Sequence, residues 1–253
     1  MAKARLAGAY ALHAYLPASC AARLIRTHLR RLRGKSDVSV TRLPQTPWSQ
    51  VLKTHPIHLA ETAKSDGNVS VPELALLALA ASNTAPGSEI IEIGTFNGRT
   101  ALNLAINAPR GVSIATLDLP ADQASALAIE QSERRYVDKA VPGALLRACE
   151  EPWRLFAGRV VQMHGDSASF DWSAHCGRAG LVFVDGSHAY DYVRKDSETA
   201  MRLVQPGGVV LWHDYGVWPG VTRALEELEA SRHLGFVNIK GTSLVLWRAG
   251  AGS

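Results

Sequence analysis

The stretch E-I-I-E-I-G-T-F-N-G, residues 89–98, decides the fold of this chain. Its first five residues are mostly apolar, which is typical of a short strand buried on both faces of a parallel sheet. A glycine-rich turn follows directly, and residues 98–108 continue with a helical pattern. A buried strand that passes through a glycine-rich turn into a helix is the first unit of an alternating α/β fold.

The same alternation of strands and helices continues to the end of the chain. Further apolar strands are predicted at residues 113–118, 159–166, 180–185, 207–214, 235–240 and 243–248. Residues 121–157 are predicted to be mostly helical, with breaks near Pro142-Gly143 and Pro152, and helical patterns recur at residues 190–203 and 219–232. Strands that alternate with helices predict a mostly parallel sheet covered by helices on both faces, which is the α/β class.

Polar residues stand at the carboxyl ends of five predicted strands. They are Glu92 with Gly94, then Asp118, Asp166, Asp185, and the pair His213-Asp214. The carboxyl ends of parallel strands meet at one edge of the sheet, and ligands of such sheets bind beyond that edge. The repeated placement of acids at strand ends therefore predicts a ligand site there.

The first turn indicates what kind of ligand this site takes. Its pattern is G-x-x-x-G preceded by Glu92, and it differs from the dinucleotide pattern G-x-G-x-x-G. An acid at this place disfavours a pyrophosphate and suits a cationic group such as an amino-acid ammonium. Asp118 is placed to accept ribose hydroxyls, and Asp166 is placed to accept from an adenine amino group.

The ordered segments of the chain also resemble a known family. IIEIGTFNGRT, LDLP, HGDSASF, VFVDGSHAYDYVRKD and PGGVVLWHDY, in this order and spacing, resemble the class I S-adenosylmethionine-dependent methyltransferases. The pattern DGSHxY followed by HDY is similar to the small-molecule O-methyltransferase branch. The resemblance covers residues 70–248 and implies a Rossmann-like, seven-stranded, mostly parallel sheet with helices on both faces and an antiparallel C-terminal hairpin strand.

The resemblance implies roles for particular residues around S-adenosyl-L-methionine. Those implied to contact the methionine moiety are Glu92, Gly94, Thr95 and Gly98, all in or beside the first turn. Asp118 is implied to hold the ribose, and Asp166 with Ser167 to contact the adenine. Asp185 is implied to lie beside the sulfonium and the methyl acceptor.

Two chemical routes for the acceptor hydroxyl follow from the residues near Asp185. In the first, His188 removes the hydroxyl proton, with His213 as a second candidate for the base. In the second, Asp185, His213 and Asp214 bind a divalent metal such as Mg²⁺, which polarises the hydroxyl. Related metal-dependent enzymes carry an acid pair where this chain has His213-Asp214, and imidazole is a poorer ligand for magnesium than a carboxylate is.

The domain organisation is predicted in three segments. Residues 1–43 form a basic N-terminal extension with an amphipathic helix at 19–33, residues 44–88 form a helical region that leads into the domain or covers it, and residues 89–250 form the methyltransferase domain. Within the second segment, Ser70 and Glu73 have the spacing of a helix capping box.

The charge of the 253-residue chain is unevenly distributed. Its net charge is +4, yet residues 1–43 hold nine Lys and Arg and one acid, so the remainder carries −4. The basic character therefore belongs to the extension, and no nucleic-acid groove is predicted in the main domain. The predicted helix at 19–33 fits a surface helix packed on the main domain or on another subunit, including one of a homo-oligomer. Its alternative is adsorption to an anionic inner membrane surface.

The predicted function is S-adenosylmethionine-dependent methylation of a small-molecule hydroxyl, on a sugar or a natural product. Three widely spaced cysteines without a C-x-x-C pattern favour a cytoplasmic protein. Two alternatives stay open: a catalytically silent binding or scaffold protein with this fold, and a nicotinamide-dependent oxidoreductase. The missing G-x-G-x-x-G counts against the second. Asp196 is expected to be solvated or paired with an arginine, and Trp218 to shape a loop over the pocket.

Overall fold

The computed structural model describes residues 41–62, 65–131, 133–134, 136 and 141–250. The predicted amphipathic helix at 19–33 lies outside these residues. Among the described residues, no helix is long and apolar enough to cross a membrane.

The described part of the chain forms one eight-stranded sheet. Its strands are β1 (Gln45–Thr46), β2 (Glu89–Ile93), β3 (Ser113–Asp118), β4 (Val160–His164), β5 (Ala179–Val184), β6 (Val204–Trp212), β7 (Val237–Ile239) and β8 (Val245–Arg248). Their order across the sheet is β1-β7-β8-β6-β5-β2-β3-β4. Strands β2 to β6 pair in parallel, and β8 lies antiparallel between β6 and β7. The predicted fold is confirmed, and β1 is a two-residue edge strand beyond the seven that were expected.

Helices cover both faces of the sheet. They are α1 (Val71–Ser82), α2 (Arg99–Asn107), α3 (Ala144–Ala148), α4 (Arg154–Ala157), α5 (Tyr190–Leu203) and α6 (Pro219–Arg232), with 3-10 turns at Trp48–Gln50 and Ser173–His175. The predicted capping box begins α1, where the Ser70 N–H donates to Glu73 Oε2 (2.9 Å).

The alternation of side chains along the strands divides the core between the two faces. Ile91 and Val182 face α5 and α6 and pack in one apolar cluster with residues such as Leu225. Ile90 and Phe183 face α1 and α2 and pack in another. This alternation explains why the strand sequences are apolar almost without interruption, since both faces are buried.

The prediction of mostly helical structure over residues 121–157 holds only in part among the described residues: Arg134 and Tyr136 are helical, and α3 and α4 begin just after the predicted breaks. Residues 121–130 contain no helix, and α3 and α4 are only five and four residues long. The backbone of this segment is held by tertiary contacts instead: the Ala126 N–H donates to the carboxylate of Asp166 (2.6 Å). Helical propensity is a weak preference, and such contacts override it.

Candidate active site

The strand ends predicted to form a ligand site surround one cavity at the carboxyl edge of the sheet. The cavity is lined by one residue from each of five strand ends: Gly94, Asp118, Asp166, Asp185 and Asp214. Because parallel strands β2 to β6 all end at this edge, residues up to 120 positions apart in the sequence meet around the same space.

The other predicted site residues divide between the cavity wall and the layer behind it. Thr95, Ser167 and His188 also line the cavity. Glu92, Gly98 and His213 do not, although each is adjacent in sequence or in space to a residue that does. These three lie behind the cavity wall, so they act on a ligand through the residues that they position or through their charge.

Asp118 presents its carboxylate to the cavity from the end of β3. The Phe96 N–H donates to its Oδ2 (2.5 Å) and the Leu119 N–H donates to its Oδ1 (2.8 Å). Burial raises the pKa of Asp118 to about 6, against the effect of these two hydrogen bonds. Each oxygen retains a lone pair, so the carboxylate can still accept from a vicinal diol.

The carboxylate of Asp166 accepts more hydrogen bonds than that of Asp118. Its carboxylate accepts from the Ala126 N–H (2.6 Å), the Ala168 N–H (2.8 Å) and the Tyr192 hydroxyl (2.5 Å). Tyr192 itself lines the cavity. Asp166 therefore orders this end of the cavity, and its contribution to a bound adenine would come through the lone pairs that these donors leave free.

Glu92 lies behind the first turn, fully buried. The Thr116 hydroxyl donates to its Oε2 (2.6 Å), and Oε1 has no hydrogen-bond partner among the described residues. Burial raises the pKa of Glu92 well above its usual value, and the nearby Asp185 and Asp118 add to the shift. A buried carboxyl with an unsatisfied oxygen beside two other acids is suited to a cationic ligand group.

His188 is held between two carboxylates on the opposite side of the cavity. Its Nε2 lies 2.8 Å from Asp214 Oδ2, and its Nδ1 contacts the carboxylate of Glu133. The ring stacks on Trp218 with centroids 4.4 Å apart, which agrees with the expected place of Trp218 beside the pocket. Burial opposes the charged ring, but hydrogen bonds to Asp214 and Glu133 outweigh it and raise the pKa of His188 to about 10.

His213 is buried behind Asp185, with both ring nitrogens facing carboxylates. Nδ1 lies 3.0 Å from Asp185 Oδ1 and 3.3 Å from Asp214 Oδ1, and Nε2 lies 3.4 Å from Glu73 Oε2. Burial opposes its charged form, but Asp214 and Asp185 hold the pKa of His213 well above its usual value. A ring that donates from both nitrogens is an imidazolium, and this one fixes the position of Asp185.

A candidate metal cluster overlaps with the predicted ligands but differs in one member. Asp185, His188 and Asp214 offer ligand atoms within 4.8 Å of one another, whereas the sequence favoured His213 in place of His188. Magnesium prefers an octahedron of oxygen ligands. A set with one imidazole, whose two nitrogens already face carboxylates, does not fit magnesium and suits a softer cation better.

Two residues of this site were missed by sequence analysis. Glu73 was recognised only as a helix cap, yet its Oε1 also accepts from the N–H and hydroxyl of Ser243 (2.8 Å each) while Oε2 faces His213. Glu133 stands in the stretch with the weakest sequence pattern. No periodicity links either residue to its histidine, so tertiary structure alone reveals them.

Asp196, which the sequence predicts to be solvated or paired with an arginine, has a different environment in the structure. It is fully buried in α5, where the Ser167 hydroxyl is the hydrogen-bonding group nearest its carboxylate. Helix α5 turns this position inward, toward Asp166, Ser167 and the backbone of Gly186. Burial raises the pKa of Asp196 to about 7, with a further contribution from the charge of Asp166.

Replacing Asp196 by Asn is expected to change how the free energy of unfolding depends on pH. In the wild type, stability from the protonated Asp196 is full below about pH 4 and is lost as pH rises through about 7. Asn cannot ionise, so the variant does not lose stability over this pH range. Its stability relative to wild type should rise by about 2–4 kcal/mol between pH 4 and pH 8. Urea unfolding across this range measures the difference, with exposed Asp191→Asn as control; a difference that does not vary with pH would contradict the assignment.

Comparisons with known proteins agree with this geometry. Residues 91–215 match the model of a family described as a methyltransferase domain. The O-methyltransferase NovP has a similar structure, with 15% identity, a TM-score of 0.55, and coverage of 74% of this chain and 84% of NovP. A protein from Corynebacterium glutamicum is similar at 14% identity and a TM-score of 0.50, over 73% of this chain and 82% of its own. TomG from Streptomyces achromogenes, an O-methyltransferase involved in tomaymycin synthesis, has 22% identity and a TM-score of 0.48, over 73% and 82%. No curated protein matches the sequence significantly.

The mostly parallel sheet with its inserted antiparallel β8 and the cavity at the strand ends define an α/β protein with a Rossmann-like, methyltransferase-type fold. Residues 91–215 match a methyltransferase domain, and the prediction from the sequence of a class I S-adenosylmethionine-dependent methyltransferase is confirmed.

Proposed function

We propose that this protein transfers a methyl group from S-adenosyl-L-methionine to a hydroxyl of a small molecule. One observation supports this above the others: Asp118, Asp166 and Asp185 stand at three strand ends around a single cavity that also contains His188. Such a row offers acceptors for a ribose and an adenine at one end and a proton acceptor at the other.

The cofactor would lie along the carboxyl edge of the sheet. Asp118 accepts from the ribose hydroxyls, and the ordered Asp166 turn with Ser167 borders the adenine. Gly94 and Thr95 bring the backbone of the first turn against the methionine moiety. The ammonium of that moiety would favour the ionised form of Glu92, which is buried behind the turn. When bound, the cofactor supplies a methyl group on a positively charged sulfur.

The acceptor hydroxyl would be activated between Asp185 and His188. Burial raises the pKa of Asp185, although His213 beside it opposes the shift, and a carboxylate with a raised pKa is a better proton acceptor. The raised pKa of His188 favours the imidazolium, which has a proton on both ring nitrogens and cannot accept another. Its positive charge instead lowers the pKa of a neighbouring hydroxyl. The hydroxyl oxygen would bond to the methyl carbon as the carbon–sulfur bond breaks, the sulfur would keep that electron pair, and Asp185 would take the hydroxyl proton.

We propose no step through magnesium, because the residues do not fit that ion. His213 is assigned as a positioning residue that holds Asp185 from behind. The further placement of the protein stays a prediction: a cytoplasmic enzyme, a sugar or natural product as acceptor, and a basic N-terminal extension, residues 1–43, that contacts another subunit or an anionic membrane surface.

Calorimetric titration tests the proposed function. The protein should bind S-adenosylhomocysteine and should not bind NADH. Asp118→Asn should weaken the binding of S-adenosylhomocysteine about 10- to 100-fold, since it removes hydrogen bonds between a carboxylate and the ribose. Absence of binding by the wild type would overturn the proposal. Binding without methyl transfer to any hydroxyl in an acceptor panel would favour the alternative of a silent binding protein.

A further inference from the structure

Helix α2 carries a row of three polar side chains along one face. Arg99, Asn103 and Asn107 are spaced four residues apart, so they lie above one another on the helix. Arg99 and Asn103 are almost fully buried. Polar side chains of this kind are normally found buried only where they are hydrogen-bonded, and the partners of this row all lie in one segment of the chain.

The two asparagines hold an extended segment by its backbone. The His58 N–H donates to Asn107 Oδ1 (2.8 Å), and Asn107 Nδ2 donates to the His58 carbonyl (2.8 Å). Asn103 repeats this arrangement at Ala60: the Ala60 N–H donates to Oδ1 (2.8 Å), and Nδ2 donates to the Ala60 carbonyl (3.1 Å). The side-chain amides thus bond to alternate residues of this segment as a neighbouring strand would.

Arg99 extends the row to the part of the same segment that reaches the cavity. It forms a buried ion pair with Glu61 and donates from Nη1 to the Val69 carbonyl (2.7 Å). We call residues 58–62 and 65–69 the strap. Arg99 therefore ties the two described parts of the strap to each other and to α2.

The strap forms a wall of the cavity. Asp66, Gly67, Asn68 and Val69 all line it, and Asn68 Nδ2 donates to the Tyr136 hydroxyl (3.1 Å) on the other side. Asn103 and Asn107 do not line the cavity. Asn107 bonds to the strap and to the Asn103 carbonyl, neither of which places it at the cavity, so it is the cleaner probe of the strap. Asn103 also bonds to the carbonyl of Arg99, which itself lines the cavity.

We propose that Asn103 and Asn107 are positioning residues for the cofactor, which set its affinity by docking the strap on α2. This proposal rests on the proposed function and deepens it. If the strap is already docked on α2, cofactor binding does not have to order the strap. The entropic cost of binding is then smaller and the affinity is higher. The reacting groups Asp185 and His188 lie on other elements, so the methyl transfer step itself is not affected.

The chain contains a matched control for this arrangement. Asn83, next to the end of α1, accepts from the Lys53 N–H (2.9 Å) and donates to the Lys53 carbonyl (3.0 Å) and to the Leu79 carbonyl (2.7 Å). Asn103 and Asn107 likewise donate to the carbonyls of Arg99 (2.9 Å) and Asn103 (2.7 Å), each four residues earlier. The bonds are the same in kind, but neither Asn83 nor Lys53 lines the cofactor cavity.

The test compares Asn103→Ala, Asn107→Ala and Asn83→Ala, all measured well below their melting temperatures. The first two should raise the Kd for S-adenosylhomocysteine about tenfold, and Asn83→Ala should leave it within about twofold. In turnover assays the first two should raise KM for S-adenosylmethionine in proportion and leave kcat unchanged. Asn107 is less buried than Asn103, so Asn107→Ala tests the proposal even where Asn103→Ala does not fold.

The outcomes separate this proposal from the proposed function. If the wild type does not bind S-adenosylhomocysteine, the proposed function fails. If the wild type binds and the Asn107→Ala variant binds equally well, or if Asn83→Ala weakens binding by the same factor, the positioning role of the asparagines is overturned while the proposed function stands. A fall in kcat at unchanged KM would also overturn it.

Discussion

Replacing Asp185 by Asn should lower kcat by about 10²- to 10⁴-fold, the range typical of losing a general base. Asn keeps the shape of Asp185 and the oxygen that accepts from His213 Nδ1, 3.0 Å away, but it cannot take a proton. The cofactor end of the cavity is built from other strand ends. Binding of S-adenosylhomocysteine should therefore stay within about threefold of wild type.

Steady-state kinetics and calorimetry on the same preparation measure both quantities. Asp171→Asn, at an exposed carboxylate, is the control and should leave kcat unchanged. If the Asp185→Asn variant retains a tenth or more of the wild-type kcat, Asp185 is not the general base and another group must accept the proton. Repeating the wild-type assay in EDTA and then with added Mn²⁺ examines the metal route: inactivation by EDTA with recovery in Mn²⁺ would show that the reaction depends on a divalent metal.

The row of strand-end acids could be predicted from the sequence because it depends on one regularity. Each parallel strand ends at the same edge, so a polar residue at the end of an apolar run must reach that edge whatever the rest of the chain does. Asp118, Asp166 and Asp185 all follow this rule and all line the cavity. The prediction needed the strand boundaries and nothing about side-chain packing.

The partners of the two histidines follow no such regularity. Glu73 and His213 are 140 residues apart, and they meet only because α1 packs on the face of the sheet where β6 ends. Glu133 reaches His188 from the segment 121–157, where the sequence pattern predicts more helix than the described residues contain. As an acid in a charged helix, Asp196 is expected in solvent or paired with an arginine, yet α5 turns it into the core. Residues such as these depend on tertiary contacts that no local pattern encodes.

Replacing Gly94 by Ala should lower the free energy of unfolding and abolish cofactor binding. The backbone of Gly94 is left-handed, with φ at +101°, and a Cβ there would lie 2.1 Å from the Asp185 carbonyl oxygen and 2.5 Å from its carbon. Both atoms belong to the backbone, so no side-chain rotation relieves the contact. The ends of β2 and β5 would have to separate, which displaces the first turn and Asp185 together.

The left-handed conformation alone accounts for only part of this effect, and a second glycine separates the two contributions. Gly87 has φ at +86°, and a Cβ there would meet nothing within 4 Å. Gly87→Ala should therefore cost about 1 kcal/mol of unfolding free energy from backbone strain, whereas Gly94→Ala should cost about 3 kcal/mol or more. Urea unfolding measures the two costs, and calorimetry with S-adenosylhomocysteine should detect binding in Gly87→Ala and none in Gly94→Ala. Equal losses in the two variants would mean that the chain does not need the close approach of β2 and β5 at this point, and that the position of Asp185 is set mainly by His213 behind it.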